Sequence, residues 1–138
     1  MGETKSGGCL CGAVRYEAQP DPSTAYYCHC RDCQIGSGSA FHVAVIAPEE
    51  SFRHVRGSIR EWTKIADSGN SITRVFCPEC GTPVWWTGEG FRGVYVLTLS
   101  SLDEPNSIFP ERELWTDSAV AWCRIREDIE SFSGRPKR

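Results

Sequence analysis

Cys28-His29-Cys30-Arg31-Asp32-Cys33 is the stretch on which the reading of this chain turns. Three thiols fall within six residues. Cys9-Leu10-Cys11 precedes them and Cys77-Pro78-Glu79-Cys80-Gly81 follows. If the chain is extended around Cys28 and Cys30, both side chains share a face. Cys33 joins them if the chain then turns, as a knuckle or a short helical turn. His29 points away from Cys28 and Cys30 in that arrangement, as an outer-sphere or surface imidazole.

Eight cysteines in 138 residues demand an account. Four disulfides would suit a secreted protein. These thiols are clustered, however, and neighbouring Cys-x-Cys residues bridge poorly because a disulfide needs a set Cα and Cβ separation. The polar start, Met1 to Gly8, lacks a signal-peptide core. A cytoplasmic location with reduced thiols follows as the expectation, and metal ligation fits the clusters better than oxidation.

Cys77-Pro78-Glu79-Cys80-Gly81 has the form of a zinc knuckle. Two cysteines straddle a loop whose N–H groups bond to sulfur, and Gly81 supplies a positive φ. A knuckle gives two ligands and tetrahedral zinc takes four. The other half comes from Cys9 and Cys11 or from the central triplet. If Cys9 and Cys11 complete it, the site is closed, and Cys28, Cys30 and Cys33 remain as a three-thiolate site with an open position, the pattern of a catalytic zinc. The competing reading is a second structural zinc closed by His29, Asp32, His42 or Cys123. Three thiolates around a divalent ion leave one net negative charge. Such a centre is a weak Lewis acid suited to a soft fourth ligand such as a substrate thiol.

Working outward, short β-rich runs dominate. Ala13–Ala18, Thr24–Cys28, Ala40–Ala47, Ile72–Cys77, Thr82–Trp86 and Gly93–Leu99 read as strands. Phe52–Val55 and Ser58–Ile65 read as a hairpin around Arg56-Gly57. Arg112–Trp115 and Ala119–Ile125 read as short closing strands. Pro20-Asp21-Pro22-Ser23, Pro48–Ser51, Asp67–Asn70 and Gly88–Gly90 read as turns, and Ser101–Pro110 as loop. Gln34–Ser39 reads either as a flexible turn or as a small-residue loop that lets a substrate approach the metal. Met1–Ser6 is expected to fray. The fold class is mostly β, in one domain over residues 1–125. The charged tail, residues 126–138, is expected to be a solvated end, with Ile125, Ile129 and Phe132 at the spacing of one amphipathic turn.

The formal charge of −3 excludes a broad nucleic-acid surface, and no apolar run approaches the roughly 20 residues of a membrane span. Arg31 and Arg74 read as surface ion pairs and are left out of the site, with binding of a substrate carboxylate as the competing reading for each. Trp85, Trp86 and Tyr95 read as core, with a wall of the pocket as the competing reading. Cys123 reads as a small buried hydrophobe.

Gly8-Cys9-Leu10-Cys11-Gly12, Cys28-His29-Cys30-Arg31-Asp32-Cys33, Gly36-Ser37-Gly38 and Phe76-Cys77-Pro78-Glu79-Cys80-Gly81-Thr82 together resemble the glutathione-dependent formaldehyde-activating enzyme family. A weaker match runs through Ser101-Leu102-Asp103 to Pro110 and Trp122. The resemblance implies a β-tent fold of antiparallel sheets and two zinc ions. Cys9, Cys11, Cys77 and Cys80 would hold a structural one. Cys28, Cys30 and Cys33 would hold a more labile, catalytic one. The implied activity is that of a carbon–sulfur lyase on S-hydroxymethylglutathione or a related thiol adduct, with glutathione or another small thiol as partner. The alternative is a non-enzymatic, zinc-stabilised module that binds a small ligand or a protein.

Overall fold

Ala44-Val45 and Val96-Leu97 divide the molecule into two apolar layers. In the computed structural model, which describes residues 2–136, Ala44 and Val96 belong to one buried cluster and Val45 and Leu97 to the other. Adjacent strand residues face opposite sides of a sheet, so the two cores lie on the two faces of one large sheet.

The strands are β1 (Lys5–Gly8), β2 (Arg15–Ala18), β3 (Asp21–Cys28), β4 (His42–Pro48), β5 (Arg53–Arg56), β6 (Arg60–Ile65), β7 (Ser71–Phe76), β8 (Pro83–Gly88), β9 (Val94–Thr98), β10 (Arg112–Leu114) and β11 (Glu130–Ser131). One helix, α1 (Arg31–Ser37), follows β3. The large sheet runs β11-β10-β3-β4-β9-β8-β7-β6, and a small sheet runs β1-β2-β5. The mostly β architecture of antiparallel sheets is as expected. The exception lies at one edge, where β10 pairs parallel to both β3 and β11.

The small sheet covers one face of the large one. Tyr16 and Val14 are fully buried there against Val45, Leu97 and Trp85. Phe52 stacks on Tyr95 with ring centroids 4.0 Å apart, and Trp85 meets Phe52 edge-on at 4.7 Å. The opposite face carries Tyr26, Cys28, Cys33 and Leu114, with Trp86, Phe91 and Phe132 packed beside them.

Five expectations are corrected. Phe52–Val55 and Ser58–Ile65 do not form a hairpin: β5 pairs with β2 and β6 with β7. The reason is a tertiary contact. Gly57 passes so close to Ala13 that a Cβ would lie 2.1 Å from its carbonyl oxygen, at φ +96. That contact ends β5 inside the small sheet. Lys5 and Ser6 are paired in β1 rather than frayed. Pro20–Ser23 is not a free turn, since β3 already begins at Asp21. The Asp21 carboxylate accepts from the Ser23 N–H and hydroxyl inside a register shift against β4. Ala119–Ile125 forms no strand. The C-terminal segment is not simply solvated, because β11 joins the sheet, Ile129 is buried and the Arg112 guanidinium lies over the Phe132 ring. Lys137 and Arg138, which end that segment, lie outside the described residues. Among the described residues no helix is long and apolar enough to cross a membrane.

Candidate metal centres

Two groups of cysteine sulfurs converge, and in each group the sulfurs all lie within 4.8 Å of one another. The first contains Cys9, Cys11, Cys77 and Cys80; the second contains Cys28, Cys30 and Cys33. All seven are the cysteines singled out from the sequence.

The four-sulfur group joins the loop after β1 to the loop between β7 and β8. Cys9 and Cys11 sulfurs are 3.6 Å apart, and Cys11 and Cys77 sulfurs are 3.8 Å apart. Zinc–sulfur bonds of about 2.3 Å at tetrahedral angles require an edge of about 3.8 Å, so the spacing suits such an ion. Backbone amides point at the sulfurs. Val14 N–H donates to Cys9 at 3.2 Å and Glu79 N–H to Cys77 at 3.4 Å. Gly81, at φ +76, closes the turn and donates to the Cys77 carbonyl. The Thr82 hydroxyl, 3.1 Å from Cys80, and the Thr82 backbone pull the Cys80 thiol down to about 5. That hydroxyl also accepts from Leu10 N–H and so ties the two loops together.

The three-sulfur group is built at the end of β3. Cys28 is the last strand residue, flanked in register by His42 of β4 and Leu114 of β10. The chain turns at Cys30, whose sulfur accepts from Cys33 N–H at 3.3 Å and so caps α1. The helix carries Cys33 back toward Cys28. It runs through to Ser37 and is capped by Gly38. Gln34–Ser39 is therefore mostly helix, neither a flexible turn nor an open loop. The Gln34 amide holds it down by donating to the carbonyls of His29 and Ser118.

As thiols the three compete for protons. Closeness to the Cys28 sulfur and then the Cys33 sulfur, followed by the Cys33 N–H and the Arg74 charge, holds Cys30 down to about 2. The same contact with Cys30 pushes Cys28 up to about 12, and contact with Cys28 raises Cys33. The set takes one negative charge readily. The second and third thiolates need a cation.

None of the residues weighed as a fourth ligand joins this group among the described residues. His29 is 1% exposed and its Nε2 lies 2.8 Å from Glu113. Asp32 pairs with Lys64. His42 contacts the Thr98 hydroxyl at 3.3 Å, and burial followed by the Arg74 charge pushes it down to about 4, which leaves it neutral. Cys123 is partly exposed and belongs to neither cluster, so it is not the buried hydrophobe expected.

Arg31 bonds Gln34 of its own helix. Among the described residues Arg74 has no ion pair of the kind weighed for it; its Nε approaches Gly36 of α1, on the three-sulfur side. Glu113 had no signal in the sequence, because nothing local to β10 says that it will meet His29. Trp85 and Tyr95 are core as read, whereas Trp86 lies on the three-sulfur face and contacts Phe91 edge-on at 4.8 Å. On the far side of His42 a cleft of about 630 Å³ is lined by Ser37, Thr82, Thr98, Arg15 and Asp103; none of the three sulfurs lines it.

A crystal structure of a Rhodobacter sphaeroides protein is similar in fold, with a TM-score of 0.60 at 22% identity over 71% of this chain and 87% of that one. A family model described as glutathione-dependent formaldehyde-activating enzyme matches residues 4–118, a span that holds both sulfur clusters. The chain belongs to the glutathione-dependent formaldehyde-activating enzyme family.

Proposed function

We propose that this protein is a zinc-dependent carbon–sulfur lyase acting on thiol–aldehyde adducts of the S-hydroxymethylglutathione kind. One observation carries the reading: four sulfurs close one cluster, while the other offers three and no fourth protein ligand atom among the described residues. The first set would hold a structural zinc and the second a catalytic one. All-sulfur donor sets favour a borderline or soft ion over a hard one. When bound at the second set, zinc would supply a coordination position that favours thiolate over thiol at neutral pH.

The chain's own residues do the rest. Cys28, Cys30 and Cys33 define which side of the site is open. The Arg74 charge favours negative sulfur near Cys30. Trp86, Phe91 and Phe132 give the site an apolar wall. In the cleavage direction the hydroxyl proton of the adduct leaves, its oxygen forms the carbonyl, the carbon–sulfur bond breaks, and the electron pair stays on sulfur. That sulfur takes a proton on release as free thiol. Addition of thiol to the aldehyde is the reverse.

Small thiols would be the partners, and two clusters of reduced cysteines suit a reducing compartment such as the cytoplasm. The deciding experiment is a screen of thiol–formaldehyde adducts for cleavage, read as formaldehyde released, with metal-stripped protein and Cys30→Ser as controls. Metal-dependent turnover lost in Cys30→Ser supports the reading. Absence of turnover on every adduct would leave a binding module.

A further inference from the structure

The three-sulfur face carries a cation, Arg74, whose place on the sheet gives it a second use beyond favouring negative sulfur. Arg74 sits in the middle of β7, opposite Trp62 of β6 on one side and Trp86 of β8 on the other. Directly opposed residues share a face, so the row Trp62, Arg74, Trp86, Val96 and Ile46 crosses the same face that holds Cys28 and Cys33.

The guanidinium reaches over α1. A Cβ built on Gly36 would lie 3.5 Å from Arg74 Nε, and Gly36 stands three residues after Cys33 on one side of that helix. The Arg74 charge acts on Cys30 and on His42. Yet among the described residues Arg74 has no ion pair. Asp32, on the first turn of α1, is taken by Lys64 at 2.7 Å, and Glu113 is taken by His29. A half-buried arginine with no carboxylate of its own, beside a cluster open on one side, is an anion receptor in waiting.

We infer that Arg74 anchors a carboxylate of the thiol substrate, and that the accepted thiols are short carboxylated ones whose sulfur faces Cys28, Cys30 and Cys33. This rests on the lyase reading above and names its substrate class. Gly36, which Arg74 Nε approaches, stands about one turn of α1 after Cys33, so the cation and the sulfurs meet on one short helix and a short thiol acid such as 3-mercaptopropionate is the probe of choice. Trp62 and Trp86 stand opposite Arg74 in the two neighbouring strands of that face.

The test uses full-length protein with cobalt in the three-sulfur site, titrated with 3-mercaptopropionate, 2-mercaptoethanol and cysteamine, and read by thiolate-to-cobalt absorption. A charge-assisted pair predicts that 3-mercaptopropionate binds about 10- to 100-fold more tightly than 2-mercaptoethanol, with cysteamine weakest. Arg74→Gln should bring that ratio to about one, and Arg74→Lys should keep part of it. Thermal melts confirm that the variants fold. An equal response to the three thiols in wild type, or a preference that survives Arg74→Gln, overturns the anchor and leaves the lyase reading standing. No spectral response to any thiol defeats both.

Discussion

Lys64 Nζ lies 2.7 Å from Asp32 Oδ1, which ties the edge strand β6 to the first turn of the helix that carries Cys33. Both side chains are more than a third exposed, and solvent screens such a pair. A double-mutant cycle with Lys64→Ala and Asp32→Ala should give a coupling of about 1 kcal/mol or less in urea unfolding. A coupling several times larger would mean that β6 and α1 fold as one rigid unit.

The two clusters should fail differently. Cys77 is fully buried and belongs to the core between the sheets, so a site at that position binds in step with folding. Cys77→Ser should leave little folded protein by circular dichroism. Cys30 is partly exposed at the end of a strand. Cys30→Ser should fold, with about one zinc per chain by elemental analysis against two for wild type. Comparable loss of structure in both variants would make both sites structural.

The sulfur clusters were legible because spacing of two or three residues determines which side chains can share an ion, and that constraint is local. The long strands were legible from alternation. What escaped is non-local. β5 left its apparent hairpin because Gly57 meets Ala13, in the bend that leads into β2. Ile129 and Phe132 were read at helical spacing, but Glu130 and Ser131 between them pair with Arg112 and Glu113 of β10, Phe132 meets the Arg112 guanidinium and the Glu113 carbonyl, and no window around the tail contains those partners. The Gly/Ser run hid a helix because its anchors, the Gln34 amide and the Cys30 cap, act through tertiary contacts and sulfur. Arg74 was visible as a candidate, but only the sheet register shows which face it occupies.

Glu113 holds the backbone between Cys28 and Cys30 through His29, whose other ring nitrogen has no partner in the buried site. Ser131 of β11 donates to the same carboxylate. Glu113→Leu strands the imidazole Nε2 as well and should cost about 1–3 kcal/mol. Glu113→Gln keeps an acceptor and should cost less. Urea denaturation of the three proteins checks the order, and equal losses would remove the hydrogen bond as the cause.

Tyr16 sets an alkaline limit. It is buried, its hydroxyl contacts Ser101 Oγ at 2.6 Å, and desolvation pushes it up from 10 to about 12. The unfolded chain therefore loses this proton first. The contribution is complete below pH 10 and is lost as pH rises toward 12. At about 1.4 kcal/mol per unit the full loss is roughly 2–3 kcal/mol. Tyr16→Phe should be less stable than wild type at pH 8 by about 1 kcal/mol, and the gap should close or reverse by pH 11. Parallel pH curves for the two proteins would contradict this.

Gly36 offers a separate handle on the surroundings of Arg74. It lies inside α1, and among the described residues, outside the helix's own backbone, a Cβ would meet only Arg74 Nε within 4 Å, at an ordinary contact distance of 3.5 Å. Gly36→Ala should therefore stabilise the fold by about 0.5–1 kcal/mol, because glycine in a helix loses more backbone freedom on folding than alanine does. A longer side chain reaches the guanidinium itself. Gly36→Leu should keep the helical gain in part but displace Arg74 from its place over α1. Thermal denaturation of both variants, with an amide exchange map of α1, separates the effects. Destabilisation by alanine would show that the space beside Arg74 is tighter than 3.5 Å allows.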